Sequence, residues 1–340
     1  CRYDVLLLEH ETKEISLNMR KLLALLALFC VVSTVKAEQL NGGFVKNGSA
    51  FKHLDVALTL GTTGVGFDLA TPVYGDLVQL RAGYAFMPGF RQTMTFGVDN
   101  YTKDGTIVSS KKEQVSELMK KFTGYDIDYE VDMVGVPTYH NAKLLVDVFP
   151  FKNKKWHFTT GFYAGPSRIA KAYNTTEDMP TLMAVGVYNN LYDFFAEEKY
   201  IDEPLYGDYY LDWEVGDMLR DKMAGYGRMG IYLGDMADGL YMMLPNEDGM
   251  VKCTVHTNSF KPYLGFGYGD GIGSYDKKYS ISFDCGMMFW GGSPKVITHD
   301  GTDLVYQVDN VRGKVGKCVD FISAFKVFPV LNLRITRRLF

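Results

Sequence analysis

Alternation of apolar side chains with polar or small ones is the sequence feature that most constrains the fold of this chain. In the stretch 279–289, for example, apolar side chains occupy every odd-numbered position from Tyr279 to Phe289. At a period of two, the side chains of a β-strand face the same side, so such a stretch predicts a strand with one apolar and one polar face. The pattern occurs in eight stretches, which are 54–60, 64–70, 77–86, 142–149, 156–165, 264–269, 279–289 and 331–339.

The connections between these stretches favour a membrane barrel over a soluble sandwich, whose strands also alternate. Short connections at 72–76, 150–155 and 270–278 alternate with long ones at about 87–141, 166–262 and 290–326. Short turns at one end and long loops at the other are typical of outer-membrane barrels, whose strands cross with about 9–11 residues. Aromatic residues near strand ends resemble interfacial girdles, namely Phe86, Phe149, Trp156, Phe289 and Phe328.

We therefore predict an all-β fold, a transmembrane antiparallel up-and-down β-barrel of eight strands with long, partly helical extracellular loops. Further short strands are indicated near 226–233 and 250–257, so ten to twelve strands is the alternative. Helical spacing in the loops predicts helices after the capping box at 110–113, ending at Gly124, and over 178–198, with weaker ones over 212–224 and 314–324. These loops either pack on one another and cap the barrel or form a binding surface.

The polar parity of the strands predicts a closed barrel interior. It carries four acidic and four basic residues, which are Asp55, Asp68, Asp147, Asp284, Arg81, Lys143, Arg334 and Arg338. An eight-stranded barrel is just wide enough for its own side chains, and charges inside it are costly unless they are paired. A balanced set therefore predicts a lumen charge network that plugs the barrel, whereas a selective channel tends to show one sign. Inward glycines leave room for the long basic side chains.

The N-terminal residues predict export. Met19-Arg20-Lys21 is a basic start, residues 22–32 form an apolar core too short to span as a helix, and 35–37 precede a cleavage point. We interpret 1–18 as upstream translation that is not native, 19–37 as a signal peptide and 38–340 as the barrel with its loops.

Composition and motifs exclude several other classes. A hydrophobic content of 47% argues against disorder, and a net charge of −4 without a basic stripe argues against a nucleic acid partner. No catalytic, cofactor or metal site is predicted. The glycine-rich run 265–273 opens no helix, and His299-Asp300 has no serine partner, so we interpret both as turns. Cys253 and Cys318 both lie in long connections, and their pairing stays open.

Taken together, the leader, the alternating strands, the connection lengths and the terminal Phe340 resemble the small outer-membrane β-barrel family. The likeness is to Bacteroidetes-type porin-like members and to outer membrane protein A-like barrels, and is strongest in His53–Gly66, Leu77–Pro88 and Val327–Phe340. The resemblance implies the cell outer membrane of a Gram-negative bacterium, reached after export across the inner membrane. It also implies contact with lipid and lipopolysaccharide, and barrel-assembly machinery that uses the C-terminal strand, with Phe340 as the assembly signal.

The expected function is a non-catalytic structural or partner-binding surface protein with a side-chain-plugged lumen. The partner of the loops would be an extracellular protein or glycan. The alternative is a small-solute, porin-like channel, and a rim-located membrane enzyme is third.

Overall fold

The computed structural model describes residues 51–103, 105–108, 110, 112–124, 128–237, 239–269 and 279–339. The predicted leader 19–37, the upstream residues 1–18 and the assembly signal Phe340 lie outside the described residues.

Within the described residues, the chain forms sixteen strands and four α-helices. The strands are β1 (Asp55–Gly61), β2 (Gly64–Tyr74), β3 (Val78–Phe86), β4 (Gln92–Gly97), β5 (Asp99–Tyr101), β6 (Glu130–Pro137), β7 (His140–Val148), β8 (Trp156–Ala164), β9 (Arg168–Asn174), β10 (Arg228–Met236), β11 (Gly239–Met243), β12 (Lys252–His256), β13 (Phe260–Gly269), β14 (Tyr279–Phe289), β15 (Lys295–Thr298) and β16 (Val327–Arg338). The helices are α1 (Lys112–Thr123), α2 (Met179–Ala196), α3 (Trp213–Tyr226) and α4 (Gly313–Ala324). No described helix combines the length and the apolar character needed to cross a membrane.

Eight of the strands close into an antiparallel barrel in the order β1-β2-β3-β7-β8-β13-β14-β16. Each strand in this order pairs with the next one. β1 pairs with β16 and so closes the barrel, with Asp55 opposite Arg338. These strands coincide with the eight alternating stretches, so the predicted barrel and its strand number are confirmed. The alternative of ten to twelve strands is wrong, because β10 and β12 pair in other sheets.

The outer surface of the barrel is apolar and open to its surroundings. Leu264 on β13 is 59% exposed and Ile281 on β14 is 57% exposed. Other exposed apolar side chains on these walls are Leu60, Leu69, Leu144, Phe158, Phe266, Phe283, Met287, Leu331 and Leu333. Such a continuous apolar surface is far larger than a soluble monomer normally exposes.

Two aromatic residues predicted as girdle residues lie elsewhere. Phe149 is fully buried, with its ring centroid 5.1 Å from that of His157, because it has the inward parity of Leu145 and Asp147. The pairing of β7 with β3 continues through it, since the N–H of Phe149 donates to Leu77 O at 2.8 Å. Phe328 stacks on Tyr139 and packs against Trp290 at the start of β16. Both aromatic side chains therefore help to fill the molecule and do not face outward.

Five adjacent barrel strands continue beyond the barrel as a second sheet, in the order β15-β12-β9-β6-β4. Each of these strands directly precedes or follows a barrel strand in the chain, and the order of the barrel is kept. Backbone hydrogen bonds bridge the breaks, with the N–H of Thr138 donating to Ile169 O at 2.8 Å and that of Thr257 to Ser167 O at 2.8 Å. In the described residues, the second sheet therefore extends the part of the barrel wall formed by β3, β7, β8, β13 and β14.

The described residues of the three long connections, 87–139, 165–259 and 290–326, form what we call the outer body. It contains the second sheet, a three-stranded sheet in the order β11-β10-β5, and all four helices. Its core is separate from the barrel interior and includes the buried side chains of Val131, Leu182, Tyr188, Met229, Leu233 and Val319. The apolar faces of the predicted helices bury against this core, so the long connections pack on one another.

Candidate functional site

The eight charged residues predicted for the lumen all lie inside the barrel. Seven of them are 5% exposed or less, and the side chain of Arg338 is 19% exposed. They form two groups. The central group is Asp68, Arg81, Lys143, Asp147, Asp284 and Arg334, and the rim group is Asp55 and Arg338.

Arg81 on β3 is the centre of the network. Its Nη2 lies 3.0 Å from Asp147 Oδ1, and its Nη1 lies 2.9 Å from Asp284 Oδ2. Nη1 is also 3.8 Å from Asp68 Oδ2, so three carboxylates from three other strands surround one guanidinium. The planar guanidinium offers several donors in fixed directions, which suits this arrangement.

Two further cations balance these carboxylates. Lys143 Nζ lies 2.7 Å from Asp68 Oδ1. Arg334 Nη1 lies 3.4 Å from Asp147 Oδ2, and its Nε donates to Ser282 Oγ at 2.8 Å. Each buried charge in the central group therefore faces at least one opposite charge, which is the condition for keeping ions out of water.

The rim group joins the first and last barrel strands. Arg338 Nε donates to Asp55 Oδ1 at 3.2 Å. His53 Nε2 lies 3.3 Å from the other carboxylate oxygen of Asp55. Gln79 on β3 also reaches this carboxylate, at 3.5 Å. The ion pair therefore lies on the seam where the barrel closes.

Two basic residues on the barrel strands, His157 and Lys261, also lie in the interior and were not predicted from the sequence as part of the network. His157 Nε2 lies 2.7 Å from Asp284 Oδ1, and the residue is 1% exposed. Lys261 is fully buried and donates from Nζ to Asn141 Oδ1 at 3.0 Å. Both have the inward parity of their strands. The polar parity predicts an inward His157, but a neutral imidazole adds no formal charge, and Lys261 precedes the alternating stretch of β13.

Glycines provide the space for the network. A Cβ atom on Gly83 would overlap Asp68 Oδ1 and press on the side chain of Lys143. A Cβ atom on Gly267 would overlap the imidazole of His157. Both glycines face inward, as the sequence pattern predicted.

An apolar cluster lies beside the charged residues in the barrel interior. Tyr163 and Tyr263 meet edge to face with ring centroids 5.6 Å apart, and Tyr139 Oη donates to Met288 Sδ at 3.6 Å. Leu145 and Val330 belong to the same buried cluster, and Leu145 lies opposite Arg81 on the neighbouring strand. Charged and apolar side chains therefore fill the barrel interior together.

The His299-Asp300 turn is held by hydrogen bonds to its carboxylate. Thr298 Oγ1 donates to Asp300 Oδ1 at 2.5 Å, and Tyr241 Oη donates to Oδ2 at 2.8 Å. Burial alone would raise the pKa of Asp300, but these hydrogen bonds and one from the Thr302 backbone hold it below its usual value. The carboxylate therefore fixes a turn, as interpreted from the sequence.

The structure describes Cys253 and Cys318 as free thiols, although both line one cavity of the outer body. Cys318 Sγ donates to Met94 Sδ at 3.7 Å. Burial raises the pKa of the Cys253 thiol to about 12.

No known protein-family profile matches the chain, and no curated protein matches its sequence. Among solved structures it is similar to CarO2 of Acinetobacter baumannii, with a TM-score of 0.35 and 14% identity, covering 86% of this chain and 100% of that one. CarO of Acinetobacter baumannii gives a TM-score of 0.35 and 14% identity, covering 84% and 97%. A major outer membrane protein of Thermus thermophilus gives 0.25 and 12%, covering 86% and 100%. Similarity at this level assigns neither family nor activity, so the Bacteroidetes-type family stays a prediction.

Proposed function

We propose that the chain is an outer-membrane barrel with a side-chain-plugged lumen, which presents the outer body at the cell surface as a non-catalytic structural or partner-binding protein. The observation that carries the proposal is the position of Arg81, which is 2% exposed and lies within 3.0 Å of both Asp147 and Asp284. A cation so held blocks the barrel interior.

The distribution of polarity supports the membrane location. Apolar side chains cover the outside of the barrel, and ions fill its inside, which is the reverse of a water-soluble barrel. A lysine or arginine on the lipid face costs about 2–4 kcal/mol at the membrane midplane. A bilayer therefore favours the observed arrangement, in which charged side chains face the barrel interior and apolar ones face outward. Arg337 is the outward cation of β16; it lies near the strand end and its guanidinium is 5.5 Å from the ring of Tyr279.

The energy of the ion pairs supports a closed lumen. Removing one partner of a buried pair typically costs about 3–5 kcal/mol, because the other charge stays buried without compensation. Water or a solute passing through would have to separate Arg81 from its carboxylates and displace the apolar cluster around Tyr163 and Tyr263. The ion pairs and the apolar cluster both oppose a steady open state.

The proposed surroundings follow from this orientation. Residues 19–37 would direct export, and the last strand with Phe340 would engage the barrel-assembly machinery. The barrel wall would contact membrane lipid and lipopolysaccharide, and the outer body would meet an extracellular protein or glycan. The stretch 193–221 of the outer body carries ten acidic residues.

Planar-bilayer recording with the purified full chain tests the closed lumen. We expect no steady conductance from the wild-type protein. The double variant Arg81→Ala, Asp147→Ala removes the central pair and is expected to show brief openings, whereas the outward variant Arg337→Ala should remain silent. A large steady conductance from the wild-type protein would refute the plug and favour the small-solute channel.

A further inference from the structure

The outer body contains a cavity of about 330 Å³ between the five-stranded sheet and α4. This volume lies at the small end of the roughly 300–1,000 Å³ found for ligand pockets. The cavity is distinct from the barrel interior, and none of the lumen charges lines it.

Small side chains form the floor of the cavity. Gly135, Ala172 and Cys253 lie side by side on β6, β9 and β12 and face the same side of the sheet. In the next row, Ala170 lies between Pro137 and Val255. Residues with little side-chain volume at the centre of three adjacent strands leave a hollow where a packed core would place larger groups.

Helix α4 forms the opposite wall. Val315, Cys318, Val319 and Ile322 line the cavity with the i, i+3, i+4, i+7 spacing of one helix face. The space is therefore a slot between a sheet and a helix, which suits a thin, extended ligand.

The lining is apolar. Gln92 and Lys171 are the polar side chains among its lining residues, and each is engaged elsewhere. Gln92 Nε2 contacts Thr93 O at 3.4 Å, and Lys171 Nζ lies 5.2 Å from the ring centroid of Tyr173. A polar ligand would lose its hydration without gaining partners, and apolar cavities of this kind are poor sites for water.

The cavity is exposed at one edge of the five-stranded sheet. Phe90, which is 59% exposed, and the exposed Gln92 lie at the end of β4 nearest the barrel. At the other edge of the sheet, Val296 on β15 and Leu304 are 4% and 2% exposed and close the cavity.

Exposed aromatic residues mark the junction between the barrel and the second sheet. Phe260 begins β13 and is 56% exposed, and Phe289 ends β14 and is 42% exposed. Both lie at the breaks where the barrel wall becomes the second sheet, as Phe90 does. The exposed side of the cavity therefore adjoins this junction, where the apolar barrel surface ends.

We propose that this cavity binds a single aliphatic chain, such as that of a long-chain fatty acid or a lysolipid, taken up at the outer edge of the membrane. The supply route rests on the proposed membrane location, but the cavity and its chemistry belong to the outer body alone. Affinity is set by burial of methylene groups, each worth up to about 0.8 kcal/mol, or roughly fourfold.

Binding of radiolabelled palmitate to the full chain, transferred from detergent into amphipol, tests this inference. We expect saturable binding, with displacement by unlabelled carboxylates that strengthens from eight to twelve carbons by at least tenfold and levels off once the cavity is full. Palmitoyl lysophosphatidylcholine as a second competitor separates the two sources, because it displaces palmitate only if the site accepts a bulky headgroup. Displacement that does not depend on chain length would overturn the proposal.

Gly135→Leu fills the slot, since a Cβ atom there would meet only Gln92 O, at 3.6 Å. We expect at least a tenfold loss of palmitate affinity. Gly97→Leu is the matched control on the opposite face of β4, where a Cβ atom has its nearest neighbours at 4.0 Å, and it should bind like the wild type. Ala172→Leu fills the same floor and replaces Gly135→Leu if that variant does not fold.

Unchanged binding in the folded floor variants would place the palmitate elsewhere and overturn the site. The bilayer recordings are an independent measurement. A conducting wild-type protein would refute the plugged lumen while leaving the cavity intact, and an absence of saturable palmitate binding would refute the cavity site while leaving the lumen closed.

Discussion

Gly83 on β3 lies directly opposite Asp68 on β2, and the pair is so close that residue 83 has no room for a side chain. Asp68 in turn faces the ammonium of Lys143 at 2.7 Å. The absence of a Cβ atom at residue 83 therefore leaves the space in which the carboxylate of Asp68 and the long side chain of Lys143 meet.

Gly83→Ala is expected to lower the free energy of unfolding by about 1–3 kcal/mol, because the methyl group overlaps both Asp68 Oδ1 and the backbone oxygen of Phe67. Urea unfolding in detergent, followed by the shift in gel mobility of the folded barrel, measures the change. Gly225→Ala in α3 is the matched control. Nothing lies within 4 Å of its Cβ position, so it should be neutral or stabilising by up to about 1 kcal/mol. Equal effects of both changes would contradict a steric role for Gly83.

Arg81→Met is expected to destabilise the barrel by about 3–5 kcal/mol, because it leaves Asp147 and Asp284 buried without their main cation. The same substitution at Arg337, which faces outward beside Tyr279, should change stability by no more than about 1 kcal/mol. The unfolding midpoints of the two variants in one lipid system give the comparison. A stable Arg81→Met barrel would show that the network is not needed for closure.

Leu264→Lys is expected to impair insertion into lipid vesicles, since a lysine on the lipid face costs about 2–4 kcal/mol near the midplane. Met218→Lys on α3 is the control, because the two parent side chains are 59% and 60% exposed. The folded fraction recovered in vesicles reports the difference. If both variants insert equally well, the outer surface around Leu264 does not face hydrocarbon.

Cys253 is expected to react slowly with iodoacetamide in the folded protein. Burial raises the pKa of its thiol to about 12, so at pH 8 roughly one molecule in 10,000 carries the reactive thiolate, and the rate should rise about tenfold per pH unit up to pH 11. Mass spectrometry of the alkylated peptide follows the rate, with urea-unfolded protein as the fast reference. A rate equal to that of the unfolded chain would show that Cys253 is accessible.

The raised pKa of the Cys253 thiol also makes the stability of the folded protein depend on pH. The thiol prefers its neutral form in the folded state, so its contribution is complete below the unfolded pKa of about 8.5 and is lost as the pH rises towards the folded value. Cys253→Ala should remove this part of the alkaline loss of stability.

The barrel could be predicted from the sequence because the residue pattern that specifies each strand lies within the strand itself. One face of each strand is apolar and the other polar, so stretches such as 279–289 reveal both their structure and their orientation. The inward parity also placed Asp68, Arg81 and Lys143 in one interior.

The outer body was predicted only in part. Its helices show helical periodicity, but the second sheet depends on pairings between distant short strands such as Glu130–Pro137 and Arg168–Asn174, which no local pattern specifies. The cavity could not be predicted either. Gly135, Ala172 and Cys253 belong to no motif in the sequence and become a floor only when three strands come into register.

The seam between β1 and β16 also determines when the barrel can be completed. Asp55 and Arg338 are 283 residues apart in the chain, and their ion pair lies on the seam that closes the wall. Until the final strand arrives, both margins carry unpaired backbone groups that would recruit foreign strands. Closing this seam is therefore the least local step in forming the barrel, and an unclosed wall leaves both edge strands open to unintended pairing.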